Sequence, residues 1–272
     1  TSDIKEIFKE KIIYKLKKNG GACSARNLGM KICTGDFIAH LDCDDIYTKD
    51  KIKNSINYLI NNRAYGFIYT NVFFMNKNSQ NFHNPPKFTN HPGSGYIAKE
   101  IILNDYVINN STLVVKKECF EEVGNFDEKI FISADREMFL RLAIKYKAGF
   151  IDERLTGYRI FNENFFVNLE KSFNEFIYIL KKFDNHQILK NTGFKKKCYS
   201  NIYYNFAKMF FSENKILKGR KLLFKSLIND IFHPKLLKII FGLFMTFFFK
   251  EKLHKMFLKY NIEKNSLNKK NN

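Results

Sequence analysis

Four residues, Asp42-Cys43-Asp44-Asp45, follow directly on an apolar run, Phe37-Ile38-Ala39-His40-Leu41. Three carboxylates so close together repel one another. They are tolerable on a solvated face, or beside a cation that offsets their charge. An apolar strand that ends abruptly in carboxylates sets them at its C-terminal edge, where open α/β sheets bind ligands. Hard divalent cations take oxygen ligands, and Mg2+ is usually held by one or two carboxylates together with substrate phosphates. The tetrad therefore suggests a metal–phosphate site. The same residues are also ordinary loop chemistry, because Asp favours turns and helix starts. The tetrad alone leaves both readings open.

The elements around the tetrad decide what it can face. Asn19-Gly20-Gly21 is a turn signal. Ser24 is placed to cap a short helix carrying Leu28 and Ile32, with Gly35 beyond its end. Phe37 to Leu41 reads as a short buried strand. Thr48 reads as the N-cap of a helix with Ile52, Ile56, Leu59 and Ile60 on one face. Tyr65 to Phe74 and Ser111 to Val115 read as strands. Lys117 to Val123 reads as a short helix stopped by Gly124, and Ser133 to Tyr146 as a helix with Met138, Phe139, Leu142 and Ala143 inward. Residues 76–96, broken by Asn84-Pro85-Pro86 and Pro92-Gly93-Ser94-Gly95, form a long loop of the kind that closes over or binds ligands. Strands alternating with helices predict an α/β fold with a mostly parallel sheet. Beyond about residue 166 only helical stripes remain, built on Phe173, Phe176, Ile177 and Leu180, then Tyr203, Phe206, Ala207 and Phe210, then Leu222, Leu223, Leu227 and Ile228.

Composition narrows the class. The chain has 272 residues, 45% of them hydrophobic, enough for a catalytic domain and an appendage. No run reaches the roughly 18–20 apolar residues that span a bilayer. Leu236 to Phe249, between Lys235 and Lys250, instead suits a membrane interface or a buried helix. The five cysteines form no CxxC pair, which argues against zinc and fits reduced, cytosolic thiols. The net charge of +19 favours anionic partners. Only seven of the 46 basic residues are Arg, the side chain that reads bases in bidentate fashion, so nucleic acid is not the expected partner.

Three further segments stand in order with the tetrad. Asn19-Gly20-Gly21-Ala22-Cys23-Ser24-Ala25-Arg26-Asn27-Leu28-Gly29 precedes it. Gly124-Asn125-Phe126-Asp127-Glu128 leads into Ser133-Ala134-Asp135-Arg136-Glu137-Met138-Phe139-Leu140-Arg141-Leu142, and Gly157-Tyr158-Arg159-Ile160 follows. This order and spacing resembles the family 2 glycosyltransferases of the GT-A fold. The resemblance implies an inverting enzyme of hexosyl- or N-acetylhexosaminyl-transferase type. It would move a sugar from a nucleotide-diphosphate-sugar to a glycan or lipid-linked acceptor in cell-surface polysaccharide synthesis. It would sit peripherally on the inner, anionic face of the cell membrane. Asp44 would hold Mn2+ or Mg2+. Gly21, Arg26, Asn27, Asp42 and Arg159 would line the nucleotide-sugar site, with a salt bridge to the tetrad as the alternative for Arg26. Asp45 would shape the loop. Asp135 would be the general base, its alternative being a helix cap, and residues 76–110 would form part of the acceptor side.

The chain departs from the family pattern at Ala134, where a Glu is usual, and at Phe161, where a His often helps to hold the metal. The family also opens with a nucleotide-binding strand and an acidic segment. Here Thr1-Ser2-Asp3 resembles only the tail of that segment, and Ile4 to Leu16 the helix after it, so an N-terminally incomplete domain is expected. The expected organisation is a GT-A-like domain over 1–165, a helical region over 166–258 and a disordered basic tail over 259–272. Two rival classes fit less of the sequence. A non-enzymatic basic membrane- or nucleic-acid-binding protein leaves the ordered motifs unexplained. A haloacid-dehalogenase-type phosphatase needs a later Lys and a downstream acidic pair, and the only adjacent Asp pair is Asp44-Asp45 itself. An EF-hand fails because Tyr47 stands where its loop needs Gly.

Overall fold

A computed structural model describes residues 6–8, 11–80, 92–103, 108–160 and 168–248. The expectations for Phe161, for most of the 76–96 loop and for the basic tail fall outside those residues.

Helix α1 (Gly21–Ile32) leads to strand β1 (Phe37–Ala39), the tetrad and strand β2 (Ile46–Tyr47). Helix α2 (Lys51–Asn61), strand β3 (Tyr65–Met75), helix α3 (Ala98–Ile102) and strand β4 (Val114–Lys116) follow. Helix α4 (Lys117–Val123), helix α5 (Ala134–Lys145) and strand β5 (Lys147–Arg159) complete the α/β part. Helices α6 (Leu169–Lys182), α7 (Thr192–Ser212), α8 (Ile216–Asn229) and α9 (Leu236–Phe248) make the helical region.

The α/β class stands, but the sheet is mixed rather than mostly parallel. Its order is β1-β4-β3-β5-β2, and only β3 and β5 run parallel. β4 returns antiparallel between β1 and β3, and β2 pairs antiparallel with β5. The reason lies in the tetrad. β1 and β2 are separated by only six residues yet occupy opposite edges of the sheet, so the acidic loop crosses its rim. Alternating strands and helices read as successive parallel units, and that crossing breaks the series.

Several local expectations are corrected. The helix read over Ile4 to Leu16 is absent from residues 12–20, which are irregular. Ser24 lies inside α1, where its hydroxyl accepts from Lys17 Nζ at 2.7 Å, and glycine occupies the N-cap. Asp50, not Thr48, precedes α2. Residues 110–112 form a 3-10 turn, so the strand begins only at Val114.

Strand β5, the longest, went unread in the sequence. Two glycines and the exposed Asp152-Glu153-Arg154 bulge break its alternation. The glycines answer to packing. A Cβ on Gly157 would sit 2.6 Å from the Phe73 ring and 2.7 Å from Ile46, so β2 could not close on β5 beside the tetrad.

The core is continuous from the sheet into the helical region. Phe67, Phe120, Met138 and Phe139 share one buried cluster with Leu180, Phe206 and Phe210. Each such side chain contributes about 1.5–3 kcal/mol by leaving water.

Candidate active site

The tetrad forms a turn closed by the Asp45 amide donating to the Asp42 carbonyl at 3.0 Å. Its three carboxylates meet different surroundings. Asp45 is buried, accepting from Ser111 Oγ at 2.6 Å and from the Arg159 amide at 3.1 Å. Burial pushes its pKa up, against those two hydrogen bonds and with the charges of Asp44 and Asp42. Asp42 Oδ1 accepts from Arg26 Nη2 at 2.6 Å and from Asn110 Nδ2 at 3.3 Å, while its amide donates to Ser111 Oγ at 3.0 Å. The Asp44 carboxylate, half-buried, makes no hydrogen bond among the described residues; only its carbonyl is used, by Arg159 Nε at 2.7 Å. Two carboxylates thus build the loop and one is left over.

Asp135 stands in the first turn of α5. Its Oδ1 accepts from the next amide, Arg136 N, at 2.7 Å. Burial pushes its pKa up, opposed by that bond and by the positive charges of Arg136 and Arg26, and reinforced by Asp42. Arg26 therefore bridges the two acidic elements, being ion-paired to Asp42 and within electrostatic reach of Asp135. Tyr158 senses the same group. Burial raises its pKa first, then the charges of Asp45, Asp44, Asp135 and Asp42. Asp44 and Asp135 are thus both within electrostatic reach of Tyr158.

The other expected site residues serve as braces. Asn27 exchanges two hydrogen bonds with the Phe126 backbone, at 2.8 and 3.1 Å, and donates to Glu128 at 2.9 Å, which fastens α1 to the segment before Asp135. Arg159 Nη1 donates to the carbonyls of Asn76 and Lys77 and to Ser79 Oγ, tying the tetrad to the turn after β3. Gly21 opens α1 at φ +80°, a left-handed conformation that favours glycine, with its amide donating to Asn19 Oδ1 at 3.0 Å.

Three supporting residues escaped the sequence reading. Glu175 on α6, buried, accepts from the amides of Phe131, Ile132 and Ser133 at 2.8–3.0 Å, gathering the loop that delivers Asp135. Glu137, fully buried, pairs with Arg141 and Lys182, and Arg141 donates to the carbonyls of Val123, Gly124 and Asn125. Lys51 lies fully buried, donating to the Thr112 carbonyl at 2.5 Å and to Thr70 Oγ1 at 3.3 Å. Desolvation lowers its pKa to about 7. The polar run Asn109 to Thr112, set before an apolar strand, was the one signal in the sequence for such a rim. Nothing marked Glu175 within its apolar stripe.

No three metal-ligating side chains cluster among the described residues. That is compatible with a cation held by one free carboxylate and by substrate phosphates, the usual Mg2+ arrangement. Asp44 is the group that fits.

Residues 2–124 match the family profile Glycosyl transferase family 2. An uncharacterized glycosyltransferase of Methanocaldococcus jannaschii is 28% identical over 204 residues, covering 74% of this chain and 65% of its own. One from Rickettsia felis is 30% identical over 168 residues, covering 59% of this chain and 26% of its own. The chain thus spans under two thirds of these relatives. The minor teichoic acid biosynthesis protein GgaB of Bacillus subtilis is 25% identical over 155 residues, 56% of this chain and 17% of its own. Among solved structures, S. aureus TarS (residues 1–349) superposes with a TM-score of 0.63 at 13% identity, over 94% of this chain and 78% of its own. The mannosyltransferase PcManGT of Pyrobaculum calidifontis, solved with GDP-Man and Mn2+, gives 0.51 at 11% identity, over 94% of this chain and 69% of its own. These likenesses make residues 2–124 similar to the family 2 glycosyltransferases, and the mixed sheet with its flanking helices has a fold like that of TarS, a GT-A-like arrangement.

Proposed function

We propose that the chain carries the catalytic machinery of an inverting glycosyltransferase. It moves a hexosyl or N-acetylhexosaminyl group from a nucleotide-diphosphate-sugar to a glycan or lipid-linked acceptor. The reading is supported by the division of labour in the tetrad, where Asp42 and Asp45 are consumed in holding the loop and Asp44 is left free. A divalent cation held by Asp44 would neutralise the leaving diphosphate. Arg26 supplies positive charge beside Asp42. Asp135 takes the proton from the acceptor hydroxyl as that oxygen attacks the anomeric carbon from the face opposite the leaving group. Burial raises its pKa, which makes the carboxylate a stronger proton acceptor than an ordinary aspartate. Likeness to GgaB supports an acceptor in cell-surface polysaccharide assembly, and such an acceptor favours a peripheral position at the inner membrane face.

The test is calorimetric titration with uridine diphosphate, with and without Mn2+. The wild-type chain is expected to gain affinity with the metal, and Asp44→Ala to lose that gain. Equal affinity of the two proteins in Mn2+ would remove Asp44 from the role.

A further inference from the structure

The α8–α9 hairpin leaves apolar side chains outside. Phe232 is 86% exposed, Leu237 81%, Ile228 65%, Phe224 57%, Phe241 51% and Ile240 49%. The pattern is ordered. On α9, residues 237, 240 and 241 face outward at helical spacing, while Ile239 and Gly242 face inward. Gly242 lets α9 close on α8, since a Cβ there would lie 2.9 Å from Leu223. On α8, Phe224 and Ile228 face outward while Leu222, Leu223 and Ser226 are buried. The hairpin therefore folds on one side and presents hydrocarbon on the other. An exposed apolar patch of this kind marks an interaction surface.

Charge identifies the occupant. From residue 216 to 248 there are six cations, Lys218, Arg220, Lys221, Lys225, Lys235 and Lys238, and one carboxylate, Asp230. A second copy of the chain would bring lysines against lysines, and the cores of protein interfaces are poor in Lys. Phe and Leu ringed by Lys suit an anionic bilayer, the apolar tips entering the acyl boundary and the ammonium groups meeting phosphate. Among the described residues no helix is long and apolar enough to cross a membrane. At about 1.5 Å per residue, the 13 residues of α9 fall well short of the roughly 30 Å hydrocarbon core.

We propose that the α8–α9 hairpin docks this protein on anionic lipid bilayers through Phe224, Ile228, Phe232, Leu237, Ile240 and Phe241. The purpose rests on the reading above, since a membrane-bound acceptor needs a membrane-bound enzyme; the docking itself does not. The experiment is sedimentation with phosphatidylcholine vesicles, with and without phosphatidylglycerol, alongside uridine diphosphate binding on the same samples. Binding is expected only with phosphatidylglycerol and should fall with added salt. The pair Phe232→Ser and Phe241→Ser should weaken it about tenfold or more. The pair Lys221→Glu and Lys238→Glu should weaken it for phosphatidylglycerol vesicles. All these positions are exposed, so circular dichroism should report an unchanged fold. Equal binding to both vesicle types, undiminished binding by the serine pair, or a dimer that the serine pair dissociates in the absence of vesicle binding would each overturn the proposal. Lost nucleotide binding with vesicle binding intact would defeat the glycosyltransferase reading alone.

Discussion

The acidic rim and the C-terminal hairpin fail to satisfy themselves in opposite ways. At the rim almost every polar group has a partner: Asp42 on Arg26, Asp45 on Ser111, Glu175 on three amides, Lys51 on a carbonyl. Among the described residues the half-buried Asp44 carboxylate lacks a partner, as do the buried His40 Nε2 and Thr48 Oγ1 on either side of the tetrad. At the hairpin the polar groups are solvated and the remainder is hydrocarbon. Buried polar groups are costly unless paired, and exposed apolar clusters are costly in water. A fold that meets these costs nearly everywhere else points, where it does not, to a ligand in the first case and a surface in the second.

That contrast can be broken at either end. The largest effect is expected for Asp135→Asn, which should cost about 10²–10⁴ in turnover with nucleotide binding kept. Near-normal turnover would take the base away from α5. The same variant should be more stable than wild type at neutral pH. The raised pKa of Asp135 means that its stability contribution is fully present below the ordinary aspartate range and is lost as pH rises through the folded-state value. Thermal melts should therefore converge in acid.

Next comes Glu175→Ala, which strands three amides and should cost about 3 kcal/mol or more in denaturant unfolding. A loss below ~1 kcal/mol would mean that water replaces the carboxylate and that the loop before Asp135 needs no clamp. Lys51→Met tests the buried lysine that binds the Thr112 carbonyl. The folded-state pKa of about 7 lies below the ordinary lysine value of 10.5, so the unfolded chain holds more protons between these values. Wild-type stability should then rise with pH across that window, by up to about 1.4 kcal/mol per unit. The Met variant should lack this lysine's slope; parallel curves would show that Lys51 keeps an ordinary pKa. The smallest effect sharpens the contrast from the other side: Phe232→Ser should change stability by no more than about 0.5 kcal/mol. A larger loss would mean that Phe232 is packed rather than presented.

Much of this was legible in the residue order, for identifiable reasons. The Gly124 stop, the strand from Tyr65 and the inward face of α5 follow from local propensities and periodicity, which act over a few neighbours. The motif order pointed to the family. Local pattern also misled. Thr48 has the chemistry of an N-cap, yet α2 starts three residues later, and β5 hid behind its glycines and its charged bulge.

Left to itself, the sequence determined where carboxylates, turns and apolar stripes fall, because these depend on residue type and short spacing. Tertiary structure alone decided which of three adjacent aspartates stays free, that the tetrad crosses the sheet rim, and that Glu175 reaches back to hold the loop of Asp135. Those outcomes rest on contacts between segments up to 115 residues apart, as between Asp44 and Arg159. Chain neighbours carry no information about such distances until the core has closed.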